Sequence, residues 1–193
     1  MRAPARREQL LDVTTQLVAE QSFHAVSIGA VADRAGVTRA VIYQHFANLR
    51  GLLDAVVDRE TSRALAQVSE TTLTDLSEGE PRDLMLESLE AYLSVVHDHP
   101  RTWRLVLTPP EGAPEMLRQR IEQGRRSVLG QLAQAVRPAL REGDANDAEL
   151  TASLLSAISD EYARLVLTDP ERYPPKRLLR HARWWLEQAS FGL

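Results

Sequence analysis

Between Val26 and Leu49 the chain reads VSIGAVADRAGVTRAVIYQHFANL, and Arg39, Tyr43, Gln44 and His45 crowd large hydrogen-bonding side chains onto one short segment. On a helix turning about 100° per residue, Ile42 and Phe46 share one side. Ala40, Val41 and Gln44 then take the opposite arc, flanked by Tyr43 and His45. Small residues in a first turn, with polar ones after them, suit a helix that enters the major groove of a DNA duplex. There each type has its own use. Arg39 can pair bidentately with guanine and Gln44 with adenine, Val41 can touch a thymine methyl, and Ala40 leaves room for the approach. Tyr43 and His45 are placed for flanking phosphates. Ser27, with the open N–H groups of the helix it starts, suits another.

Bond-making chemistry has no comparable pattern. The sequence holds no phosphate loop, dinucleotide glycine fingerprint, nucleophile elbow or HExxH pair. Its carboxylates are spread over helix faces, where solvation accounts for them. Cysteine is absent, so disulfides, thiolate metal sites and cysteine nucleophiles are excluded. His97-Asp98-His99 offers two imidazoles, but alternate spacing at a helix end before Pro100 is poor ligand geometry. No catalytic residue, metal or cofactor is therefore expected.

The elements that hold the polar segment are helical. Apolar residues make up 44% of the 193 and charged ones 26%, ordinary values for a globular chain. Leu10, Val13, Leu17 and Val18 place a first helix over 5–20. Ser27 caps a second, in which Ile28, Val31, Ala32 and Ala35 form one stripe. Val26 and Val31 make a hydrophobic staple, repeated one helix later by the cap Thr38 with Val37 and Ile42. Gly36 supplies the left-handed residue that so short a turn demands. The third helix runs from Arg39 to about Phe46, and Asn48 caps a fourth through about Thr71. Further helices are expected over 82–98, Pro100 to Leu107, 115–140, 147–168 and 175–191, separated by LSEGEP, TPPEGAP, REGDAND and TDPERYPP, with Pro138 to end or kink the third of them near its close. There is no strand candidate. The fold class is all-α: a three-helix unit over 1–47 and a helical bundle over 48–193.

Charge follows this division. The chain carries a net −4, yet residues 1–50 have six arginines against four carboxylates. A basic end on an acidic body suits a protein of which only that end meets phosphates. The N-terminus lacks the apolar core of a signal peptide, and no apolar run approaches the ~20 residues that span a bilayer, so a cytosolic location is expected.

The run SIGAVADRAGVTRAVIYQHFANLRGLLDAV resembles the helix-turn-helix signature of the TetR family of bacterial transcription regulators. The likeness rests on Ser27, Ala32, Ala35-Gly36-Val37, Thr38, Ile42-Tyr43-x-His45-Phe46 and Leu52, and covers residues 8–57. Two positions depart from the family. Its basic residue after Asn48 is Leu49 here, with Arg50 beside it to take over the phosphate contact. Its glycine at the end of the first helix is replaced by Gln21-Ser22, which implies a tight or strained turn.

The resemblance implies a homodimer formed by the last two helices, a small-molecule effector pocket in the body, and a double-stranded operator DNA. Leu150, Leu154, Ile158 and Leu165 form one apolar face, and Leu178, Ala182, Trp185, Leu186 and Ala189 another. Two reading helices about 34 Å apart then meet successive major grooves of a palindrome. Pocket candidates are Met85, Tyr92, His97, Trp103, Leu107, Met116, Gln119, Gln123 and Tyr162, with Tyr92 and Trp103 foremost because the family's pocket lies between the central helices. Arg118, Arg120, Arg125 and Arg126 read first as a solvated face and second as an attractor for an anionic effector. The expected function is a regulator, most often a repressor in this family, released from DNA by its effector. The alternatives are an activator, or a small-molecule-binding protein whose helix-turn-helix is only structural.

Overall fold

The computed structural model describes residues 3–72, 74–75, 79–140 and 147–189, and the regular elements among them are all helical. They are α1 (Ala3–Gln21), α2 (Ile28–Ala35), α3 (Arg39–Tyr43), α4 (Leu49–Thr71), α5 (Pro81–Asp98), α6 (Pro100–Leu107), α7 (Glu115–Val136), α8 (Ala148–Thr168) and α9 (Pro175–Ala189). Single 3₁₀ turns occupy Phe23–Ala25 and Arg137–Ala139. The breaks expected at LSEGEP and REGDAND lie partly, and the expected end of the last helix wholly, outside the described residues.

Local chemistry explains most of the boundaries. Ser27 Oγ accepts from the Ala30 amide at 3.1 Å, and Asn48 Oδ1 accepts from Gly51 at 2.8 Å. Both are N-caps that satisfy amides left open by the first helical turn. Gly36 ends α2 at φ 65°, ψ 38°, and the Val37 amide returns to Ala32 O at 3.0 Å. Pro138 falls in the 3₁₀ turn and ends α7 at Val136, near the close of the expected helix, where a proline stops or kinks it.

Three features differ from the sequence reading. Thr38 stands at the N-cap of α3, but its hydroxyl caps no amide. α3 itself stops at Tyr43, because the His45 and Phe46 amides both bond Ile42 O and tighten the last turn. The 3₁₀ turn at Phe23–Ala25 inserts Phe23 into the core. It follows Ser22, whose φ of 70° and ψ of 171° make it the non-glycine residue at positive φ among those described.

Two cores result. The first gathers Leu10, Leu11, Val31 and Ile42 from α1–α3 and Phe46 from the turn after α3 with Leu52, Val56 and Val57 from α4. It also takes Leu105 from α6 and Leu117 from α7. Leu10, Ile42, Leu52 and Leu117 are fully enclosed, each contributing about 1.5–3 kcal/mol by burial. The second core joins Leu86, Tyr92, Leu93 and Val96 of α5 and Trp103 of α6 to Tyr162, Ala163 and Val166 of α8 and Leu178 and Ala182 of α9. The eight-residue α6 therefore feeds both.

Candidate nucleic-acid interface and interior cavity

α3 is anchored by buried Ile42 and, just past its end, Phe46, and exposes most of the rest. Ile42 and Phe46 sit in the first core, while Arg39, Ala40, Tyr43 and Gln44 are exposed and Val41 and His45 half-buried. Ser27, Thr38 and Arg50 are also exposed. Arg39 folds back over the start of α2, its Nη2 3.1 Å from where a Cβ on Gly29 would stand. A glycine inside a helix costs about 1 kcal/mol against alanine, and here it leaves room for that guanidinium. Leu49 packs partly into the first core, so this side chain is apolar filling. Arg50 next to it is almost wholly exposed, with Asp54 at 3.8 Å. Beneath this surface, Arg7 lies over the Phe46 ring at 5.2 Å.

Charge holds this unit together and to the body. Arg34 pairs with Glu20 at 2.7 Å, and the Arg34 and Gln16 hydrogen bonds hold the Glu20 carboxyl below its usual range. Deeper in, Glu60 of α4 is 1% exposed. It accepts from Arg59 at 2.8 Å, Arg63 at 3.2 Å and the Thr102 hydroxyl of α6. Arg59 continues to Glu8 at 3.0 Å and Asp12 at 2.8 Å on α1. Burial works against the Arg59 charge, but Glu60, Glu8 and Asp12 outweigh it and make the guanidinium more basic than usual. The loop before α7 also touches the head: Gly112, at φ 73°, lies so close under the His24 ring that a Cβ there would overlap it.

In the body two adjoining chambers open between α4, α5, α7 and α8. One of about 100 Å³ is walled by Leu86, Leu89, Leu132, Leu155 and Ile158. The other, of about 160 Å³, is bounded by Trp103, Val106, Leu107 and Arg120, Arg125 and Arg164. Tyr92 and Asp160 line both. The Tyr92 hydroxyl donates to Asp160 Oδ1 at 3.2 Å, and Arg125 donates to Oδ2 at 2.9 Å. Burial, then the Asp160 charge, push the Tyr92 phenol well above its ordinary value. Tyr92 meets Trp103 edge-on at 5.1 Å, and Trp103 Nε1 donates to Gln67 at 3.0 Å. Tyr162, its phenol raised by burial, is hydrogen-bonded with His181 Nδ1 at 2.8 Å.

The geometry thus brings Tyr92, Trp103, Leu107 and Tyr162 around this space, with Met85. Met116 and Gln123 lie elsewhere. Met116, in the first turn of α7, packs against the first core, and Gln123 is on the solvent side of the same helix. The phase of α7 explains it: Ile121, Gly124, Arg125 and Val128 are the residues that face inward. His97 and Gln119 are likewise exposed. Sequence reasoning missed Asp160 and Arg164: α8 also carries Glu149 and Glu161, and no signal in the sequence sets the first two apart.

The proposed dimer faces are also sorted. Leu150 and Leu154 are 64% and 66% exposed, and Trp185 40%. Ile158, Leu165 and Leu186 are half-buried. Leu178 and Ala182 are buried within the chain, because α9 folds back on α5 and spends that stripe there. Trp184, not singled out from sequence, is 55% exposed. No described helix is long and apolar enough to cross a membrane.

Comparison with known proteins agrees with this geometry. Residues 10–56 match the model of bacterial regulatory proteins of the tetR family. The transcriptional activator FasR of Mycolicibacterium smegmatis is 28% identical over 116 residues, 58% of this chain and 52% of that protein. The transcriptional regulator BetI of Yersinia pestis is 38% identical over 79 residues, 41% of this chain and 39% of that protein. The chain thus spans about half or less of the length of these curated relatives. Among solved structures, the triclosan complex of SmeT superposes with a TM-score of 0.67 at 26% identity, over 92% of this chain and 90% of that one. SmeT is the repressor of the Stenotrophomonas maltophilia multidrug efflux pump SmeDEF. FadR of Bacillus subtilis with stearoyl-CoA gives 0.66 at 18% identity, over 93% and 96%. Residues 10–56 thus carry the helix-turn-helix of the tetR family of bacterial regulatory proteins, and over 92% of its length the chain shares the fold of SmeT.

Proposed function

We propose that this chain is a one-component repressor that binds a palindromic operator as a dimer and releases it when a small molecule fills the interior cavity. Residues 1–47 read DNA and 48–193 bind effector and partner. The observation that carries the reading is the division of the segment 39–46 into a buried Ile42/Phe46 side and an open side bearing Arg39, Ala40, Gln44 and Tyr43. Arg39, Val41 and Gln44 contact bases. Ser27, Thr38, Tyr43, His45 and Arg50 contact phosphates.

Coupling runs through α6. Trp103 and Leu107 border the cavity, while Leu105 sits in the head's core and Thr102 holds Glu60 of α4. A ligand that displaces Trp103 moves both helices together and changes the spacing of the two heads. Operator and effector affinities are then linked reciprocally.

The test is a salt-series titration against the DNA upstream of the chain's own gene. Specific binding that weakens steeply with salt is expected, since several phosphates are neutralised. A shallow slope would instead fit a small-molecule-binding protein whose helix-turn-helix is structural. Arg39→Ala should cost about 1–3 kcal/mol per half-site and relax preference at one operator position. A loss uniform across sequences would make Arg39 a phosphate contact. Activation is the second reading, favoured by the similarity to FasR, and a reporter gene with and without the chain separates the two.

A further inference from the structure

The two chambers differ in chemistry. Among the described residues, Asp160 is the single charged group lining the first, whose walls are otherwise apolar, aliphatic with Tyr92, Tyr162 and Trp185 among them, and carry a few hydroxyls. The second carries three guanidiniums, from Arg120, Arg125 and Arg164. Asp160 stands where the chambers meet, and both of its oxygens are already engaged, by Tyr92 and by Arg125. Donors are in surplus, since each guanidinium offers five N–H groups. Arg125 uses Nη2 on Asp160, Arg120 uses Nη2 on Asp58, and Arg164 uses Nε on Leu107 O and Nη1 on Glu161.

Resting on the reading of this cavity as the effector site, we propose that its ligand is an anionic amphiphile, a carboxylate head on a medium-length aliphatic tail. The head takes Arg125 and Arg164 in the second chamber, and the tail lies between Leu86, Leu132 and Ile158 in the first. Arg125 is half-exposed and turns readily from Asp160 to a ligand, whereas Asp160 is 17% exposed and stays in place. A cationic ligand would have to evict Arg125 from Asp160 and would add a further positive charge beside Arg164. An uncharged one would leave the guanidinium donors to water.

Calorimetric titration of the full chain with sodium decanoate, methyl decanoate and decyltrimethylammonium, each below its micellar concentration, tests this. Decanoate should bind most tightly, octanoate should be weaker by about fourfold per CH₂ removed, and Arg125→Gln should weaken decanoate about tenfold while sparing the methyl ester. Equal binding of the ester, or tight binding of the ammonium that Asp160→Asn removes, would overturn the proposal, as would no binding of decanoate. If Arg125→Gln fails to fold by circular dichroism, the three probes on the unaltered chain decide alone. Decanoate is then titrated into the operator complex. Binding without DNA release keeps the anionic site and overturns the effector reading instead.

Discussion

Ser22 holds a backbone region that side chains avoid, at a cost of about 1–3 kcal/mol. Ser22→Gly should therefore raise stability by about 1 kcal/mol and Tm by about 2–4 °C in a thermal melt, while Ser22→Ala should give no gain. Tyr92 supplies a pH prediction of known sign. Its folded phenol is raised well above 10.0 by burial and by Asp160, so its contribution is whole below pH 10 and lost as pH climbs past it. Tyr92→Phe should make the alkaline limb of Tm against pH shallower by about one proton. How far such residues were legible depends on what sets them. The strained Ser22 followed from a missing glycine, and the exposed arc of α3 from a helical wheel. Asp160 and Arg164 were not legible, because their role comes from the meeting of three helices distant in sequence.

Helix boundaries were readable wherever a cap or a proline set them, as at Ser27, Asn48, Pro100 and Pro138. They were less so where side-chain packing decides, as at Phe23 and at the tightened end of α3. The placement of Met116 and Gln123 required the phase of α7 against α4 and α8, which periodicity alone leaves open in a helix with sparse apolar residues. At the element scale, the buried carboxylate of Glu60 ties α4 to α6 and, through Arg59, to α1. Glu60→Ala leaves Arg59 short of its most buried partner and the Thr102 hydroxyl unmet. It should cost about 3 kcal/mol in urea unfolding, and the same variant should lose part of the effector response of DNA binding. An unchanged response would place the coupling elsewhere.

For the molecule as a whole, the open apolar surface of α8 is the feature that one chain leaves unused. Leu154→Glu should yield a monomer by sedimentation velocity, with operator affinity falling toward that of one half-site. A dimer that persists would move the interface away from α8. The division into head and body, plain in charge and in the signature, is crossed by packing. Leu105 and Leu117 close the core beneath the reading helix, with Ala113, Met116 and Ile121 against it. A hybrid regulator made by grafting residues 1–47 onto a relative's body would set Val31, Ile42 and Phe46 against foreign side chains. Retargeting such a protein to a new promoter would therefore require these five positions, with Leu52, Val56 and Val57 of α4, to travel with the head. On the proposed reading, operator choice and ligand response are not separable cassettes in this chain.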